Sequence, residues 1–353
     1  MVATGVFLAS TKDVIVMIRN HTLFLLPMQQ DTGKKVVQFE LLTENDEDKS
    51  RRLTAVEFFA VDMKHALLVL VDERKLMHYE VDVQGDSIKL CETRDAPRNS
   101  TCMSIGRVQV DSKTQYAVVV GEKTGEAVAF PFPDINRDLK TLLGHTTSMI
   151  THMATNSDSS LLLTADRDEK IRVSRFPQTS IVQSYCLGHE ASLTKISCCV
   201  LTPELVVSTS LDNTIKLWNM KSGELLGSHQ LLDDAVEDKQ AALVNVSLAV
   251  SPQSNVIVAL LNQQIVRLFV ISQSENGSPS LETVAVPAEQ MKLLSGNAPC
   301  DARFTASGTL ALAYKEAPYL QLFQVSKDAV VPDAEGARLA ELRANAAKIG
   351  MMK

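Results

Sequence analysis

The stretch Ser208-Thr-Ser-Leu-Asp212-Asn-Thr-Ile-Lys-Leu-Trp218-Asn219 follows Gly188-His189 and reads as a copy of an earlier one. The earlier copy is Gly144-His145 followed by Thr164-Ala-Asp-Arg-Asp168-Glu-Lys-Ile-Arg-Val-Ser174. His145 and His189 are 44 residues apart, and so are Thr164 and Ser208, Asp168 and Asp212, and Ser174 and Trp218. Several landmarks at one offset mark an internal repeat.

A period of about 40–45 residues, with Gly-His at one end and Trp beside a polar residue at the other, is that of a four-stranded propeller blade. The residue types explain one another in such a blade. An Asp in the turn between the second and third strands accepts hydrogen bonds from the His and from backbone amides of its turn. The His passes a second bond to Ser208, which reaches the indole N–H of Trp218. A buried polar chain of this kind is stable only when every member is satisfied. The second repeat has the full set, His189, Ser208, Asp212 and Trp218. The first has His145, Thr164 and Asp168, but Ser174 in place of Trp leaves a gap. The Ser–His–Asp spacing is therefore read as blade architecture and not as a nucleophilic triad.

Outward from these two repeats, short β-rich runs recur between turn residues. They begin at Val14–Ile18, Ala55–Val61 and Thr101–Val110, and resume after the repeats at Leu243–Val250 and Ala302–Thr305. Seven sets of strands predict an all-β, seven-bladed WD-repeat β-propeller over residues 1–328. The ring is expected to close by terminal strands sharing one blade, which hides exposed edges. The polar segments Thr43–Arg52 and Leu231–Gln240 read as solvated loops. Residues 329–353 read as a tail with a short C-terminal helix, because Leu339, Leu342, Ala346 and Ile349 fall on one helical face.

Composition narrows the function. Among 353 residues, 45% are hydrophobic and 22% charged, the profile of an ordinary globular chain. A net charge of −7 tilts against a general nucleic-acid surface, which needs a clustered positive field. No apolar run approaches the roughly eighteen residues that span a bilayer. The six cysteines show no framework spacing and are read as reduced core thiols, with no metal site. Gly121-Glu-Lys-Thr-Gly125 lacks the order of a phosphate loop and lies between strands, so it reads as a hairpin turn with Gly125 in an unusual backbone conformation. No other catalytic motif is present. Binding is left, since propellers display loops rigidly to partners.

Thr164-Ala-Asp-Arg-Asp-Glu-Lys-Ile-Arg-Val-Ser174, including the Ser in place of Trp, closely resembles the fourth-blade signature of the non-catalytic WD-repeat subunit of eukaryotic tRNA (guanine-N7)-methyltransferase. Gly121-Glu-Lys-Thr-Gly-Glu126 is similar to that family's hairpin in the preceding blade, with Glu122 where Asp is usual. The likeness is strong from about Tyr116 to Asn219; elsewhere only the architecture matches. The family's Lys/Arg-rich C-terminal tail has no counterpart here. The resemblance implies a protein that binds and stabilises a catalytic subunit, the pair forming N7-methylguanosine in the tRNA variable loop. It implies a heterodimer, with no cofactor of its own because S-adenosylmethionine sits in the partner. The tRNA would be met mainly through that partner, and residence would be nuclear, with the cytoplasm a second location. Carried over by residue, the contact surface is Lys123, Arg167, Asp168 and Arg172. Lys123 and Arg172 would meet partner carboxylates, and Asp166 would steady Arg167 or Arg172. Against this stands a purely internal reading, in which Asp168 is the turn Asp and Arg172, like Lys216 in the next blade, is a solvated charge. A general WD-repeat scaffold, such as a ubiquitin-ligase substrate receptor, is the alternative. Trp218-Asn-Met-Lys221 and Ser174-Arg-Phe-Pro177 both depart from the WDxR element of such receptors. A propeller enzyme ranks third and would need charged residues converging on the central channel.

Overall fold

The second strands of the blades set the architecture. Leu161–Asp166, Leu205–Ser210, Val256–Leu261 and Thr309–Tyr314 are buried along their whole length. A strand buried on both faces reads as a continuous apolar run, because another layer packs on each side. The outer strands differ: Ser87–Asp95 has no buried residue. In a computed structural model, the described residues run from 6 to 332, excepting 12–13, 20, 28–35, 42–50, 62–63, 112, 146–147, 234–235, 237, 245, 262–264, 274–275, 296–297, 315–318 and 327–328. The expected tail helix and most of the polar segment 43–52 lie outside the described residues.

Among the described residues twenty-eight strands form seven antiparallel four-stranded sheets. Blades one to seven span residues 6–40, 53–95, 100–144, 150–187, 193–230, 246–283 and 299–332. Their inner strands pack side by side in a complete ring, blade seven against blade one included. Seven hydrophobic clusters occupy the seven interfaces between neighbouring blades. The chain is thus a seven-bladed β-propeller whose core is divided among those interfaces. Two short helices, Lys239–Val244 and Ala288–Ser295, flank blade six. No helix among the described residues is long and apolar enough to cross a membrane.

Three expectations change. Among the described residues no strand is shared at ring closure: the four strands of blade one come from residues 6–40, and Val330–Pro332 supplies the fourth strand of blade seven. The seam is instead side-chain packing, with Val6, Leu8, Ile15 and Met17 against Ala311, Ala313 and Leu320. Three hydrogen bonds join it: Leu8 N to Asp301 Oδ2 (2.7 Å), Ser10 Oγ to Phe304 O (3.1 Å) and Arg303 Nε to Leu8 O (3.2 Å). The segment Leu231–Gln240 is not wholly solvated, since Leu231 and Leu232 are core residues and the helix that follows buries Ala242 and Leu243. Of the six cysteines, Cys102, Cys186 and Cys199 are buried, whereas Cys91 is exposed.

Candidate partner-docking face of blades three to five

Blade five contains the complete polar chain. The Trp218 indole N–H donates to Ser208 Oγ at 2.8 Å, and that hydroxyl meets His189 Nε2 at 2.8 Å. The opposite ring nitrogen, Nδ1, meets Asp212 Oδ2 at 2.7 Å. With the indole donating to it, Ser208 directs its own proton to Nε2, so Nδ1 carries the imidazole proton toward Asp212. Trp218 and Ser208 are fully buried. Burial pushes the Asp212 carboxyl up, but hydrogen bonds from His189, Thr214 and the Glu190 amide outweigh it and hold the carboxyl below the usual range. The His–Ser–Asp constellation is consumed in fixing the blade.

Blade four solves the same problem with different residues. His145 Nε2 meets Thr164 Oγ1 at 2.6 Å, as expected, but Nδ1 meets Asp166 Oδ2 at 2.8 Å rather than Asp168. Asp166 sits at the end of the second strand, where blade five has Ser210. From there its buried carboxylate reaches the imidazole directly, and its other oxygen accepts the Lys170 amide at 3.0 Å. These bonds overcome the desolvation that would raise its pKa and leave it lowered. Asp166 therefore does not serve Arg167 or Arg172, and Asp168 is not the turn carboxylate: its side chain is exposed.

The gap left by Ser174 is closed by Arg172. Its Nε donates to Ser174 Oγ (3.0 Å), Nη1 to Gly144 O (3.2 Å) and Nη2 to Thr179 O (3.0 Å). Arg172 is thus half-buried between blades three and four. The corresponding Lys216 is buried as well, donating to Ser228 Oγ at 3.0 Å, and is not a solvated charge.

Lys123, Arg167 and Asp168 come together differently. Gly125, with φ +92°, ends the Lys123 turn, and a Cβ there would come within 2.5 Å of both His145 O and Ser148 O. Its carbonyl accepts the His145 amide at 2.7 Å. On the other side of that connection, the Arg167 amide donates to Met149 O (2.9 Å) and the Asp168 amide to Ser148 Oγ (3.2 Å). The two exposed turns therefore flank the connection between blades three and four, at one end of the ring. Lys123 Nζ pairs with Glu73 Oε2 of blade two at 2.6 Å.

Glu122 beside it was not singled out by function. Its side chain is 1% exposed, Thr124 Oγ1 donates to Oε2 at 3.0 Å, and Oε1 has no partner. At the corresponding place, Asp166 has His145, whereas blade three offers Glu122 no His. Desolvation therefore prevails and raises its pKa.

Residues 133–307 match the family model described as the tRNA methyltransferase TRM82 WD40 domain. Among curated relatives, the tRNA (guanine-N(7)-)-methyltransferase non-catalytic subunit wuho of Culex quinquefasciatus is 28% identical over 201 residues, 57% of this chain and 45% of that protein. The protein of the same description from Drosophila grimshawi is 32% identical over 178 residues, 50% of this chain and 43% of its own. The chain spans less than half the length of these relatives. A chain in the crystal structure of the mitotic checkpoint complex superposes with a TM-score of 0.65 at 16% identity, covering 90% of this chain and 89% of that one. That likeness shows the propeller fold. Residues 133–307, which contain blades four, five and six and both variant and complete polar chains, are thus similar to the TRM82 WD40 domain.

Proposed function

We propose that this chain is the non-catalytic subunit of a tRNA (guanine-N7)-methyltransferase. It binds and stabilises the catalytic subunit as a heterodimer, and the pair forms N7-methylguanosine in the tRNA variable loop. S-adenosylmethionine and the target guanine are held by the partner, tRNA is met mainly through it, and the complex works in the nucleus. The observation that carries this reading is the exposed group Lys123, Arg167 and Asp168 around one connection, beside blades whose His, Ser, Thr and Asp groups are already spent internally. The descriptions of the relatives support the same reading. Arg172 contributes by shaping the edge between blades three and four, because its donors are committed to that edge. A carboxylate of the partner would draw Lys123 from Glu73, exchanging one exposed ion pair for a more buried one.

The test is co-expression with the catalytic subunit. The chain alone transfers no methyl group, and the pair methylates tRNA. Lys123→Glu combined with Arg167→Glu weakens association at least about tenfold, roughly 1.4 kcal/mol, while its own unfolding curve stays as in wild type. Copurification of the double variant at wild-type yield refutes this face as the docking surface.

A further inference from the structure

Side chains from non-neighbouring blades meet across the ring axis. Glu57 lies on the inner strand Leu53–Val61 of blade two, His152 on Ile150–Thr155 of blade four and Lys195 on Leu193–Cys198 of blade five. Asp301 and Arg303 lie on Pro299–Phe304 of blade seven. Lys195 and Arg303 both act electrostatically on Glu57 and on His152, and Asp301 acts on Lys195. Blades two, five and seven are not neighbours in the ring, so these side chains face one another across the central channel.

The cluster holds more donors than acceptors. Asp301 is engaged by the Leu8 amide (2.7 Å), the Ser247 hydroxyl (2.6 Å) and the Ala302 amide (2.9 Å). Among the described residues, no carboxylate lies within ion-pairing distance of Lys195 or Arg303. Arg303 gives Nε to Leu8 O at 3.2 Å and makes no other hydrogen bond among the described residues. His152 Nδ1 accepts the Ile196 amide at 3.4 Å, which places the ring proton on Nε2 as a further donor. Among the described residues of the cluster Glu57 is the acceptor not already engaged, and burial raises its pKa to about 7. The groups around Glu57 are Lys195 and Arg303 across the channel and the thiol of Cys102 on blade three, while its register partner on the next strand is the apolar Leu68. Burial pushes that thiol up to about 11, so it stays neutral. The inner strand of blade one, Val6–Ser10, brings no titratable group.

We propose that the axial channel binds a small oxyanion, held by the ammonium of Lys195, the terminal amino groups of Arg303 and Nε2–H of His152. An anion with several oxygens matches donors set on three blades, and charge-assisted bonds are stronger than neutral ones. Glu57 opposes it: once ionised, its carboxylate competes for the same two cations.

Isothermal titration calorimetry of the full chain with sulfate tests this at constant ionic strength against chloride. Sulfate keeps one charge across the range, so pH acts through the protein. Saturable binding with a Kd on the order of 1 mM is expected, weakening as pH rises through about 7. Lys195→Met and Arg303→Met each weaken it at least about tenfold. Glu57→Gln, nearly isosteric and safe for folding, tightens it at high pH and flattens its pH dependence. Parallel titrations with phosphate and malonate separate a phosphate source from a carboxylate one. Absence of saturable heat with all three anions overturns the proposal, as does binding that Lys195→Met and Glu57→Gln leave unchanged.

Discussion

Replacing Ser208 with Ala removes one oxygen atom and leaves two buried polar groups without partners. The indole N–H of Trp218 and Nε2 of His189 both meet that oxygen at 2.8 Å, and no water can reach a fully buried Trp218. An orphaned buried group costs roughly 1–3 kcal/mol, so the variant loses about 2–4 kcal/mol once some relaxation is allowed. Trp218→Phe deletes the indole donor. In that background Ser208→Ala orphans only His189, and its effect falls by about 1–2 kcal/mol, the coupling of the pair. Urea unfolding followed by circular dichroism suits the cycle, because Trp218 is the sole tryptophan and its fluorescence disappears with it. A loss below about 0.5 kcal/mol for Ser208→Ala, the level of an ordinary surface change, refutes the polar chain as a stabilising unit. So does an equal loss with and without the indole.

Gly125→Ala places a methyl group against two backbone oxygens at φ +92°; thermal unfolding should show a loss of about 1–3 kcal/mol. Asp212 has a folded pKa below its unfolded value of about 3.9, so its contribution is present above that pH and is lost as pH falls toward the folded value. Asp212→Asn should therefore be less stable near neutrality and show a flatter acid limb of the stability–pH curve. Glu122 has the opposite sign: its folded pKa is raised, so stability falls as pH climbs from its unfolded value of about 4.3 through the folded one. Glu122→Gln should match or exceed wild type near neutral pH and lose that advantage in acid, read as urea midpoints at the two pH values.

The repeat was legible because its landmarks do structural work. His189, Ser208, Asp212 and Trp218 must touch, so their spacing is constrained and their contacts follow from their chemistry. The turn of blade four was ambiguous for the same reason. Asp166 and Asp168 are two residues apart, either could face His145, and the 44-residue offset favoured the wrong one. The deciding fact was that the second strand extends to position 166 and carries that side chain inward. Arg172 was legible as an unusual residue but not as a filler for the missing indole, since a three-bond anchoring to Ser174, Gly144 and Thr179 depends on backbone positions. The axial cluster could not be read from order along the chain. Glu57 and Arg303 are far apart in sequence, and each alone is an unremarkable polar residue in a strand. The helix Lys239–Val244 was hidden inside a segment whose charges masked Leu231, Leu232 and Leu243.

The way blade one meets blade seven gives the propeller a clasp where other junctions of chain-sharing rings have a weld. Among the described residues no ladder of main-chain bonds crosses from one to the other; three polar links and a layer of small and medium apolar side chains do that work. Parting the bracelet there leaves both adjoining four-stranded sheets whole. Asp301, bound at once to Leu8 of blade one and Ser247 of blade six, is the pin of that clasp.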